Sequence, residues 1–154
     1  MNEREFRTAY VVGRLDRSLR RAMEAELTPM GITLTQFTTL TVIARRSGLS
    51  NAQLARRALV TPQAMQQVLS ALSAKGLIQR TSDPAHHGIL LTALTSSGVE
   101  LVRQGEAAIA AVETQMLRNI PDHRRAAFLE ELQSCVSNLG GGLTSSPLTR
   151  DHQR

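Results

Sequence analysis

The chain has a single cysteine, Cys135, no tryptophan, one tyrosine and three phenylalanines. One cysteine excludes an intrachain disulfide, and with it the crosslinked frameworks of small secreted domains. Aromatics at 3% leave Leu, Val, Ile, Met and Ala to fill the core. That composition favours helices, because Ala and Leu lead the helix-propensity ranking. No apolar run approaches the roughly 18 to 20 residues of a membrane span, so no membrane association is expected. The first residues, M-N-E-R-E-F-R, lack an apolar signal core, and residence in the cytoplasm is expected. Catalytic patterns are missing as well. Gly140-Gly141-Gly142 lack the Lys and Ser or Thr of a phosphate loop, and there is no His-Glu-x-x-His. No Ser, His or Asp stands in a nucleophile context. Neither an enzyme nor a cofactor is expected.

What is present is helical periodicity and positive charge. The formal net charge is +5 over 154 residues, and Lys75 is the only lysine, so the excess is arginine. Arginine suits phosphate and guanine, because its planar fork donates two hydrogen bonds at once. Residues 5–27 read as a long amphipathic helix, with Val12, Leu15, Leu19, Met23 and Leu27 at three-and-four spacing. Phe6, Tyr10 and Gly13 widen that stripe, and Pro29 and Gly31 end the helix. Thr35 is expected to cap a second helix to about Arg46, with Phe37, Leu40, Ile43 and Ala44 facing inward. Ser50 caps a short third helix, on which Leu54 and Ala55 pack inward. Thr61-Pro62 opens a fourth, because Thr is a strong N-cap and Pro fits the first helical position. Met65, Val68, Leu69 and Leu72 form its inner face, and Gly76 closes it. Leu77–Thr81 and Ile89–Thr92 read as a β-hairpin around a polar tip holding Pro84 and Gly88. Thr95 caps a fifth helix to about Asn119. Pro121-Asp122 starts a sixth, lined by Phe128, Leu129, Leu132, Val136 and Leu139.

The order is four helices, a hairpin and two helices. It predicts a mainly α fold with a small β-hairpin wing, a winged helix–turn–helix. The expected organisation is a dimerisation helix in 1–34, the DNA-binding region in 35–94, further dimerisation helices in 95–139 and a disordered tail in 140–154. The outer helices carry more apolar surface than one small domain needs, which suits a homodimer. Two recognition helices about 34–36 Å apart can enter successive major grooves of a palindromic duplex.

The fourth helix carries the base-reading chemistry. Gln63, Gln66, Gln67 and Ser70 lie opposite its apolar face, and Gln pairs bidentately with adenine. Thr61 sits at the helix N-terminus, where backbone N–H groups attract phosphate. An ordinary solvated face is the plain alternative. Arg45, Arg46, Arg56, Arg57, Lys75 and Arg80 cluster nearby and are candidates for phosphate contacts, which position without specifying. At the wing, Asp83, His86 and His87 form a polar tip that can touch DNA or respond to pH. Adjacent histidines lack the spacing of helical metal ligands, so no metal site is expected. Cys135 is expected to be a buried packing thiol, since Arg124 and Arg125 are too far along the helix to activate it. A cysteine-based redox sensor is the alternative.

These segments together resemble the MarR family of bacterial transcription regulators. The resemblance covers about 6–139. Its carriers are G-I-T-L-T-Q-F, L-S-N-A-Q-L-A, V-T-P-Q-A-M-Q-Q-V-L, K-G-L-I-Q-R and L-T-S-S-G. It implies a homodimer whose terminal helices pair and whose winged domains grip DNA, as a repressor released by a small molecule. By this resemblance Tyr10, Arg14, Arg17, Phe37, Leu40 and Thr41 border an effector pocket for a small aromatic or phenolic ligand. An effector-independent or architectural DNA binder is the alternative. The wing departs from the family pattern: Asp83 fits the first acidic position, but His86-His87-Gly88 follow, and Ile89 stands near the place of the expected arginine.

Overall fold

Four helices begin where a Thr or Ser hydroxyl replaces the missing intrahelical acceptor, three of them at the expected residue. The side chains of Ser50, Thr61 and Thr95 accept from the backbone N–H three residues on. Each satisfies one of the donors left open at a helix start. The computed structural model describes residues 8–141. Phe6 and residues 142–154, expected to be a helix start and a disordered tail, lie outside them.

The elements are α1 (Thr8–Leu27), a 3-10 turn (Thr28–Met30), α2 (Leu34–Arg45), α3 (Asn51–Ala58) and α4 (Pro62–Ala74). They continue as β1 (Ile78–Ser82), β2 (Leu90–Leu94), α5 (Ser96–Met116) and α6 (Asp122–Asn138). The strands pair antiparallel, with Ile78 opposite Leu94 and Arg80 opposite Thr92. Leu49 bridges Thr92 from the other side. The fold is the expected mainly α winged helix–turn–helix.

The core is centred on α2, α3 and α4. Phe37, Leu40, Leu54, Met65, Leu69 and Leu72 are fully buried, and Leu27 reaches in from the end of α1. The 65, 68, 69, 72 spacing puts these α4 residues on one face, with Val68 half-buried at its edge. α5 crosses this core closely, and glycine makes the approach. A Cβ on Gly105 would collide with the Phe37 ring, and one on Gly98 with the Leu77 carbonyl oxygen.

Several local expectations need correction. α2 is capped by Thr33, not Thr35: Gln36 N–H donates to Thr33 Oγ1 (3.1 Å), and Thr33 N–H donates to Gln36 Oε1 (3.2 Å). This reciprocal box satisfies two donors, which one hydroxyl at Thr35 could not do. Ala44, expected to face inward, is exposed, because the buried face runs through Val42 and Ile43. The strands lie one or two residues further along than expected, and α5 ends at Met116. Cys135 is exposed, not buried. Its helix, α6, has no buried residue within the single chain, so there is no packed face for the thiol to enter.

Candidate nucleic-acid interface

α3 and α4 meet at a tight turn with an unusual backbone. Leu59 caps α3 with φ 56° and ψ 41°, the left-handed region, and its side chain is 92% exposed. It is the one non-glycine residue with positive φ among those described. That conformation costs an L-residue roughly 1–2 kcal/mol. Asn51, at the start of α3, donates its Nδ2 to the Pro62 carbonyl at 3.2 Å and ties the helix starts together. Sequence reasoning missed Asn51, because nothing in its local pattern shows a partner eleven positions on.

On α4, Gln63, Gln66, Gln67 and Ser70 are all exposed. Their spacing of three, one and three places them on a single stripe, opposite Met65, Leu69 and Leu72. The helix has no charged residue along its length. Thr61 is exposed, and its hydroxyl oxygen accepts from Ala64 N–H at 3.1 Å, which leaves the O–H free to donate. Ser70 Oγ donates back to the Gln66 carbonyl at 2.9 Å, so only its lone pairs face outward.

The cations surround this stripe unevenly. Arg56 and Arg57 are exposed in the last turn of α3, where they also oppose the negative end of the helix dipole. Arg45 and Arg46 are exposed at the end of α2. Arg80 is half-buried at the root of the wing, and its Nε–H is buried with no acceptor. Thr92 Oγ1, on its cross-strand partner, is also buried without one. Lys75 differs from the rest. Its Nζ donates to the Gly31 carbonyl (2.6 Å) and to Gln36 Oε1 (3.0 Å). The ammonium therefore fastens the end of α4 to the start of α2, instead of standing free for phosphate. On the other side, Thr95 Oγ1 donates to the Gly76 carbonyl at 2.6 Å and anchors the same turn to α5.

The wing tip is an ordered turn. Asp83 N–H donates to the Ile89 carbonyl at 2.8 Å, and Ala85 N–H donates to Asp83 Oδ1 at 2.8 Å. His86 Nδ1 lies 3.1 Å from Asp83 Oδ2. The Ala85 amide and the His86 imidazole hold the Asp83 carboxyl below its ordinary pKa. Ile89 sits at the neck, paired with Asp83, so His86 and His87 form the apex where the arginine was expected near Ile89.

The six residues expected around an effector fall into a buried group and an exposed group. Phe37, Leu40 and Thr41 are core residues with at most 1% exposure, which leaves a ligand no surface to touch. Tyr10, Arg14 and Arg17 are exposed on α1. A cavity of about 310 Å³ instead lies between α2, β2 and α5, lined by Ile43, Ala44, Ser47, Leu94, Val99 and Val102 with Ala93. Among the described residues, no group of three or more His, Cys, Asp or Glu is placed to hold a metal. No helix among them is long and apolar enough to cross a membrane.

Comparison with known proteins agrees with this geometry. The MarR family model matches residues 30–87. An HTH-type transcriptional repressor of Mycobacterium tuberculosis is 33% identical over 129 residues, which is 84% of this chain and 93% of that protein. A solved complex of a MarR family protein of M. tuberculosis with DNA is 31% identical, covers 85% of this chain and 98% of that one, and superposes with a TM-score of 0.72. A complex of the same mycobacterial protein with salicylic acid is 31% identical over 87% of this chain and 99% of that one, with a TM-score of 0.69. A MarR family regulator from a Rhodococcus shares the fold at a TM-score of 0.74 and 23% identity, over 82% of this chain and 90% of that one. On the fold, the helix–turn–helix residues and these relatives together, the chain belongs to the MarR family of transcriptional regulators.

Proposed function

We propose that this chain is a cytoplasmic repressor that binds a palindromic DNA site as a homodimer and is released by a small aromatic acid. The exposed amide stripe on α4 carries this reading. Four side chains on one helical face can hydrogen-bond base edges, and no charge on the helix draws it indiscriminately to phosphate. Arg56 and Arg57 on α3 supply the sequence-independent attraction. The solved DNA complex of the mycobacterial relative supports this mode.

The homodimer rests on α1 and α6. Tyr10, Val11 and Val12 on α1, and Leu129, Val136 and Leu139 on and after α6, are exposed apolar side chains. Exposed apolar faces of this kind mark association sites. The effector reading rests on the cavity between α2, β2 and α5, and on the relative's complex with salicylic acid. The cavity has room for one aromatic ring and offers the Ser47 hydroxyl. Because it separates the strand of the wing from α5, a ligand there biases the angle between winged domain and dimer helices. It acts only through its difference in affinity between the two arrangements.

Footprinting on the DNA flanking the gene, followed by binding to the protected duplex, tests this. Gln67→Ala should cost about 1–3 kcal/mol and relax preference at one base pair. Arg57→Ala should weaken all sequences alike and flatten the salt slope by about one. Unchanged preference in the first variant removes α4 from the groove. Salicylate should raise the melting temperature and weaken DNA binding, and Ala44→Phe, which fills the cavity, should abolish both. DNA binding that ignores salicylate and related phenolic acids would instead favour an effector-independent regulator.

A further inference from the structure

We infer that His87 is the wing's contact to the duplex and His86 its tether, so that the grip of the wing on DNA is coupled to proton uptake. This rests on the DNA-binding reading above and assigns a regulation to it.

The composition of the hairpin leads there. From Thr81 through Val102 the chain has no lysine and no arginine. Arg80 lies at the root, half-buried, with its Nε out of solvent. Beyond that point only His86 and His87 can present positive charge to a polyanion, and they do so only when protonated.

Geometry divides the two roles. His86 Nδ1 is held against Asp83 Oδ2 at 3.1 Å, and the same carboxylate accepts the Ala85 amide at 2.8 Å. His86 N–H also donates to the Asp83 carbonyl at 3.3 Å, and Ile89 N–H to the His86 carbonyl at 3.2 Å. His86 is thus bound into the turn. His87 is exposed at the apex, next to Gly88, whose φ of 86° makes the reversal.

The surrounding charges leave this balance to the tip. Asp83 is the acidic partner within the hairpin and Arg80 the cation at its root. Of the elements packed against the hairpin, α4 has no charge. α2 ends in Arg45, α3 ends in Arg56 and Arg57, and Lys75 is engaged with Gly31 and Gln36. On α5, Glu100 and Arg103 pair with each other at 2.6 Å.

A phosphate-lined groove favours the charged form of an imidazole and raises its pKa on binding. The added affinity is complete below the pKa of the free protein. It is lost as pH rises through the higher pKa of the complex. A dimer has two wings, so the effect is doubled.

The test is fluorescence anisotropy of the full chain at fixed ionic strength from about pH 5.5 to 8. Its probes are the footprinted duplex and a random-sequence duplex of about two helical turns. Binding should tighten by at least about tenfold from pH 8 to pH 6. His87→Gln should remove most of that change and His86→Gln a smaller part. His87→Arg should bind tightly at pH 8 with a flat profile. Both side chains are exposed, so folding is not at issue. If the His86→Gln, His87→Gln double variant keeps the native pH slope, the inference is overturned and the DNA-binding reading stands. If the native chain binds neither duplex at any pH, both fall.

Discussion

The winged domain and the last helix treat their apolar residues in opposite ways. Around α2 to α4, large side chains such as Phe37, Leu54 and Leu69 are completely withdrawn from water. On α6 not one residue is buried, and Leu129 and Val136 stand in solvent. The first region is finished within one chain. The second leaves an apolar face uncovered, which a second copy would cover in the proposed dimer. A DNA reader benefits from this split, because a rigid domain holds the base-contacting helix while the association surface sets the distance between two of them.

Four variants would break or sharpen that contrast. Leu69→Ala empties a core position and should cost about 2–5 kcal/mol in denaturant unfolding. A cost well under that range would mean that the domain relies on its flanks. Leu129→Glu with Val136→Glu should leave the winged core folded by circular dichroism. Self-association measured by sedimentation should weaken by at least about a hundredfold, some 3 kcal/mol. A dimer that survives both charges moves the interface off α6. Gly105→Ala pushes a methyl group into the Phe37 ring, and a melting curve should report a loss of about 1–3 kcal/mol. Since that contact joins α5 to the core, operator affinity should fall with it. The smallest effect is a gain: Leu59→Gly relieves the left-handed strain at the helix–turn–helix and should add about 0.5–1 kcal/mol. A lower melting temperature would show that the exposed leucine has a packing partner in the assembled protein.

Much of the fold was legible because its signals are local. Ser50, Thr61-Pro62 and Thr95 mark helix starts by side-chain chemistry that acts over three residues. The α4 stripe is a matter of spacing alone. The capping box Thr33-x-x-Gln36 was equally local, and the more central Thr35 drew the assignment away from it. Other features were not local. Lys75 finds Gly31 and Gln36 across the fold, so a cation counted toward phosphate also fastens α4 at the protein surface. Asn51 meets Pro62 only when α4 folds against α3, and the buried Nε of Arg80 depends on packing at the wing root. Cys135 is expected to be a packing thiol because it stands beside Val136 with Arg124 and Arg125 too far along the helix to activate it, yet periodicity cannot say whether the covering surface belongs to the same chain.

The absence of charge on α4 separates two jobs that many duplex binders mix. On the proposed reading, α3 and, at low pH, the hairpin apex supply the attraction to the sugar–phosphate rails, while neutral amides and hydroxyls on α4 supply the discrimination. Descendants of this gene can therefore adopt a new recognition sequence by exchanging a few amide side chains, with their overall hold on the chromosome left as it was.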